Sequence, residues 1–131
     1  MAENRKTILY IEDEPGMIEL VRYILEYEDR AKFIVQVAKG GEQGFKMMQQ
    51  QKPDLVLLDV VLPDVDGCTV YQQAKADSDL KSIPVVFVTG YIHQVNEMIK
   101  AGIPPAKGCL RKPFDPDDLL DNVYQALDMC A

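Results

Sequence analysis

The segment Asp54-Leu55-Val56-Leu57-Leu58-Asp59, running on into Val60-Val61-Leu62-Pro63-Asp64-Val65-Asp66-Gly67, fixes the architecture of this chain. A short Leu/Val run between turn signals predicts a strand buried on both faces. Strands of that kind belong to parallel sheets covered by helices. Asp59 then stands at the carboxyl end of such a strand, where open α/β sheets place their ligands.

The flanking sequence repeats the theme. Thr7-Ile8-Leu9-Tyr10-Ile11 is strand-like and is followed by Glu12, Asp13 and Glu14. Pro15 opens a helix with Met17, Ile18, Leu20, Val21, Ile24 and Leu25 at helical spacing. Phe33 to Val37 is β-branched and aromatic, a second strand. Glu42 to Gln51 predicts a modest amphipathic helix around Phe45 and Met48, after the break at Gly40-Gly41. Gly67 to Ala76 predicts a third helix with Val70, Tyr71 and Ala74 inward. Pro84 to Val88 is a fourth strand, and Ile92 to Ala101 a short helix stopped by Gly102. Gly108-Cys109-Leu110-Arg111 is a weak fifth strand. The last helix starts at Pro116 with Asp115 as cap, Asp117 and Asp118 in its first turn, and a stripe of Leu119, Leu120, Val123, Tyr124 and Leu127. Strand and helix alternate five times, which predicts one α/β domain with a mainly parallel sheet.

The totals narrow the function. The 131 residues fit one domain, and 47% apolar residues supply one core. A net charge of −7 argues against nonspecific nucleic-acid binding and against docking on anionic membranes. No apolar run approaches the length of a membrane-spanning helix, and Met1 to Lys6 lacks the apolar stretch of a signal peptide, so a cytoplasmic protein is expected. Cys68, Cys109 and Cys130 are scattered, no C-x-x-C is present, and His93 is the single histidine. Free thiols are expected, not a zinc site.

In a parallel sheet every strand points the same way. The acids after the first strand, Asp59 after the third, Thr89 after the fourth and Lys112 after the fifth therefore converge on one edge. Packed carboxylates repel unless a cation joins them. Hard oxygen ligands suit Mg²⁺, which takes one or two carboxylates plus phosphate oxygens. Glu12, Asp13 and Asp59 are thus candidate Mg²⁺ residues, Asp59 a candidate nucleophile, and Lys112 and Thr89 candidate phosphoryl partners. Taken singly, each feature has a plainer reading. Glu12-Asp13-Glu14 suits a helix N-terminus, Asp64-Val65-Asp66-Gly67 a turn, and Thr89 a strand end.

Four of these segments in order resemble the receiver domain of two-component response regulators: Ile8 to Pro15, Pro53 to Gly67, Phe87-Val88-Thr89-Gly90 and Arg111-Lys112-Pro113-Phe114. The resemblance covers residues 6 to 129. It implies a flavodoxin-like, doubly wound fold: a five-stranded parallel sheet of order 2-1-3-4-5 with five helices. It implies one receiver domain over 1–131, and no output domain is expected after Ala131. By position, Asp59 is implied as phosphoacceptor. Asp13, Asp59 and the Val61 carbonyl are implied as direct Mg²⁺ ligands, with Glu12 acting through water. Thr89 and Lys112 are implied to bind the phosphoryl group, and the Lys112-Pro113 bond to be cis.

The implied donor is a sensor histidine kinase or a histidine phosphotransfer protein. The implied output is a downstream protein target met by the fourth helix, fifth strand and fifth helix, as a monomer or a phosphorylation-dependent dimer. The resemblance implies no enzyme beyond weak Mg²⁺-dependent self-phosphorylation and self-dephosphorylation. Two positions depart from the family pattern. Cys109 stands where the family carries a switch aromatic, three residues before the lysine, and Tyr91 is the candidate to share that surface. Val61 and Tyr91 occupy positions that tune hydrolysis, and their bulk predicts a slowly hydrolysing phospho-Asp59. The longer stretch from Ile103 to Arg111 is similar to receivers of hybrid kinases.

Three rivals are weighed. A haloacid-dehalogenase-type phosphatase needs an acid two residues after the nucleophile, where Val61 stands. A nucleotide-binding domain needs a Gly-rich first loop, and this one is acidic. A receiver-like scaffold that is never phosphorylated has no need of the site residues, all of which are present.

Overall fold

The computed structural model describes residues 5–29 and 31–129. Cys130 and residues Met1 to Asn4 lie outside the described residues. Ten elements alternate along the chain: β1 (Thr7–Ile11), α1 (Pro15–Glu26), β2 (Ile34–Ala38), α2 (Gly41–Gln51), β3 (Leu55–Leu58), α3 (Gly67–Ala76), β4 (Val85–Thr89), α4 (Ile92–Lys100), β5 (Gly108–Arg111) and α5 (Pro116–Ala126). The five strands pair in parallel in the order β2-β1-β3-β4-β5. The expected sheet is therefore the observed one.

Strand alternation builds two cores on one sheet. Leu9, Ile11, Val56, Leu58, Val85 and Phe87 face α2, α3 and α4. Ile8, Tyr10, Leu55, Leu57, Val86 and Val88 face α1 and α5. β1, β3 and β4 are buried on both sides apart from the half-buried Thr7, as continuous apolar runs in a covered sheet should be. Tyr71 stacks obliquely on Phe87 (5.3 Å between centroids). Its hydroxyl donates to the Pro104 carbonyl at 2.6 Å, which ties the 101–107 connection to the core.

α3 and β5 have the expected bounds. β2 and β4 each begin one residue later than the sequence pattern suggests. Phe33 lies outside the β2 ladder and is a core plug against the Tyr124 ring at 5.8 Å. Pro84 has no N–H for the ladder, and only its carbonyl pairs, with Val56 N. Leu20 is a correction within α1: it is 43% exposed, while Val21 and Leu25 are buried. Asp115 is another. It occupies the cap position of α5, yet its side chain makes no capping bond, and its backbone carbonyl accepts from Asp118 N and Leu119 N. Gly102 sits at φ 97°, a left-handed conformation that suits glycine at the end of α4. No helix among the described residues is long and apolar enough to cross a membrane.

Candidate functional site

The backbone ladder itself carries the site residues to one edge. Glu12 N donates to Ala38 O (2.9 Å), Asp59 N to Ile11 O (3.2 Å) and Lys112 N to Thr89 O (3.0 Å). Each strand is thus prolonged by one bond, and that bond fixes the first residue beyond it. The Lys112–Pro113 peptide is cis, as implied.

Lys112 joins the acids. Its ammonium donates to Glu12 Oε1 at 2.5 Å and to Asp59 Oδ2 at 3.0 Å. Glu12 is 1% exposed and Asp59 6%. Charges this deep persist only when paired. Asp59 Oδ1 accepts from Val60 N at 2.7 Å, so both of its oxygens are held. Glu12 Oε2 accepts from Glu14 N (3.2 Å), and Glu12 Oε1 also accepts from the Tyr10 hydroxyl (3.0 Å).

The titration behaviour follows from this packing. Burial pushes the Glu12 carboxyl above its usual range; the Lys112 hydrogen bond opposes the shift and the Asp59 charge adds to it. Burial pulls the Lys112 ammonium down, but its bonds to Glu12 and Asp59 outweigh this and leave it raised. Burial, then the Glu12 charge, pushes the Tyr10 phenol up, so it stays protonated and donates.

The three consecutive acids divide their work. Glu12 enters the buried network. Asp13 is exposed beside it and stands outside that network. Glu14 is the N-cap of α1, accepting from Gly16 N (3.0 Å) and Met17 N (2.6 Å). Among the described residues no three Asp, Glu, His or Cys side chains gather into a ready-made metal site. Lys112 bonds the two buried carboxylates, and the third acid, Asp13, is exposed outside their network. The chemistry of the donors nevertheless suits Mg²⁺: the buried Glu12 and Asp59 carboxylates and the exposed Asp13 carboxylate at the same edge are all hard oxygen donors.

Thr89 is fully buried at the end of β4, and its Oγ1 accepts from Tyr91 N at 3.0 Å. Val61 and Tyr91 flank the edge at 49% and 54% exposure. Cys109 is exposed on β5, paired with Phe87. Partial desolvation by the surrounding chain raises its thiol above the usual value, opposed by the Arg111 charge, and burial with the Asp66 carboxylate raises Cys68 to about 11.

Two supporting residues lie inside the segment that reads as a simple turn. Asp66 caps α3 through Cys68 N at 2.6 Å. Asp64 reaches across to α2, where Gly40 has no side chain to cap with, and accepts from Gly41 N (2.7 Å) and Glu42 N (3.1 Å). Gly67 closes the loop: its N–H donates to Val60 O (2.8 Å), and a Cβ there would lie 1.9 Å from Asp59 O. The sequence carries signals for the Asp66 cap and for the turn at Gly67. It carries none for the Asp64 cap, whose partners lie 22 and 23 residues away.

Comparison with known proteins agrees with this geometry. The family profile of the response regulator receiver domain matches residues 8–124. The DNA-binding dual master transcriptional regulator RpaA of Synechocystis is 38% identical over 120 residues, covering 92% of this chain and 48% of that protein. The chain spans about half the length of the curated relatives it matches first. A CheY-like receiver domain protein from Methanospirillum hungatei superposes with a TM-score of 0.82 at 27% identity, over 95% of both chains. The phosphorylated cyanobacterial phytochrome response regulator RcpA does so with a TM-score of 0.80 at 25% identity, over 97% of both chains. By profile, identity and fold, the chain belongs to the response regulator receiver domain family.

Proposed function

We propose that this domain, residues 1–131 with its core at 6–129, accepts a phosphoryl group on Asp59 from the phosphohistidine of a sensor kinase or phosphotransfer protein. One observation carries the reading: the Lys112 ammonium bridges Glu12 and Asp59 at the carboxyl edge of the sheet.

In the transfer, an Asp59 carboxylate oxygen forms a bond to phosphorus while the P–N bond to the donor imidazole breaks. The electron pair leaves with the imidazole nitrogen. Lys112 orients the carboxylate beforehand and then pairs with the phosphoryl oxygens. Thr89 turns its hydroxyl from Tyr91 N toward the same oxygens. Mg²⁺, held by Asp13, Asp59 and the Val61 carbonyl with Glu12 acting through water, would neutralise charge on the transferring group.

The new charge on Asp59 shifts a two-state equilibrium of the α4–β5–α5 face, where Tyr91 and Cys109 are exposed. A downstream protein, not a nucleic acid or a membrane, reads that face in the cytoplasm. Val61 and Tyr91 crowd the approach of water, so hydrolysis is slow. Incubation with acetyl phosphate and Mg²⁺ should add one phosphoryl group to wild type and none to Asp59→Ala, by intact mass. Its decay should take minutes or longer; loss within seconds would contradict the role given to Val61 and Tyr91.

A further inference from the structure

Tyr10 lies on β1 with its side chain on the α1/α5 face, two residues before Glu12, which follows the end of the strand. It is fully buried in the apolar cluster on that face of the sheet, with Val37 and Leu57 as its partners on the adjacent strands. Phenylalanine would fill that space equally well. A buried hydroxyl is unfavourable without a partner, and the Tyr10 hydroxyl has one: Glu12 Oε1 at 3.0 Å. The same oxygen receives the Lys112 ammonium, and Glu12 Oε2 receives Glu14 N. Three donors from three directions therefore fix one carboxylate. Glutamate has three side-chain torsions, and Glu14 N and Lys112 both come from segments at the sheet edge. Among the described residues, Tyr10 is the one that anchors the carboxylate from inside the core.

We propose that Tyr10 is a positioning residue of the acidic site: its hydroxyl holds Glu12 so that Lys112 spans Glu12 and Asp59 and the edge is preset for Mg²⁺. The inference rests on the function proposed above. Without that hydroxyl, Glu12 follows the Lys112 ammonium, and the outer arrangement around the cation loosens. Outer-shell partners of a bound metal change its affinity by about tenfold or more, and Tyr10 acts on such a partner, Glu12.

The test uses the full chain with Tyr10→Phe, which removes only the oxygen. Mg²⁺ titration without phosphodonor, followed by amide NMR shifts, should show affinity weakened by about tenfold. Phosphorylation by acetyl phosphate should need correspondingly more Mg²⁺ for half-maximal rate, with the plateau rate unchanged. In a Glu12→Ala background, Tyr10→Phe should change nothing further. Equal Mg²⁺ affinity in wild type and Tyr10→Phe, or an equal loss in the Glu12→Ala background, overturns the proposal and leaves Tyr10 as core filling. Should Tyr10→Phe not fold, wild type still decides: a slowly exchanging Tyr10 hydroxyl proton is expected, and it should shift in Glu12→Ala. A hydroxyl signal indifferent to Glu12 overturns the inference. Wild type that binds no Mg²⁺ overturns the site itself, and the inference with it.

Discussion

Lys112 holds the fold together at the place where the proposed chemistry would occur. It compensates two buried carboxylates, so Lys112→Met should destabilise the fold by about 3 kcal/mol at pH 8. The loss should be smaller at pH 5.5. Glu12 already has a raised carboxyl, and without the ammonium it rises further, so the folded state takes up a proton more readily than the unfolded one. Stability held by a group with a raised native value is present at low pH and lost as pH climbs through that value. Urea unfolding at the two pH values measures it; a pH-independent loss would contradict the pairing. Gly67→Ala should cost about 3 kcal/mol, because the added carbon meets backbone, not a yielding side chain. The same variant should slow phosphorylation by displacing Asp59. Asp59 was legible in the sequence because it ends an apolar run, and Lys112 because it stands before Pro113 at the end of the weak fifth strand. Tyr10 was not, since a tyrosine in a buried strand reads as one more core residue.

Among the elements, α2 depends on a residue far from it in sequence. Asp64 serves as the cap that Gly40 cannot provide, and the N–H groups of Glu42 and Gly41 hold its carboxyl below the usual aspartate range. A depressed native value stabilises the fold above the ordinary aspartate value and stops doing so as pH falls through the native one. Asp64→Asn should therefore lower the melting temperature at pH 7, and the difference from wild type should close under acid conditions. A constant difference across the range would contradict the cap. α3, β5 and the Pro116 start of α5 were legible from glycine and proline punctuation. The one-residue shift of β2 was not, because an apolar residue such as Phe33 looks the same whether it pairs or only packs; that of β4 follows from Pro84, which has no N–H to pair. Leu20 shows the same ambiguity on α1, where helical spacing alone does not say how wide the buried stripe is.

For the whole molecule, the parallel sheet turns distant sequence positions into one site. Glu12, Asp59 and Lys112 come from the ends of three strands that point the same way; sheet order puts β1 beside β3, and the long Lys112 side chain reaches back across β4 to both carboxylates. That convergence was legible before any coordinates, because alternating strands and helices permit few topologies. The split of Glu12, Asp13 and Glu14 into buried partner, exposed acid and helix cap was not, since it depends on which face each residue takes after β1 ends. The central claim is that Asp59 is the phosphoacceptor. The most direct measurement treats the acetyl-phosphate-labelled protein with borohydride and maps its peptides, because an acyl phosphate on aspartate is reduced to homoserine. Homoserine at position 59, formed only when Mg²⁺ is present, is the expected result. Reduction at another carboxylate, or labelling that does not need Mg²⁺, would contradict the account.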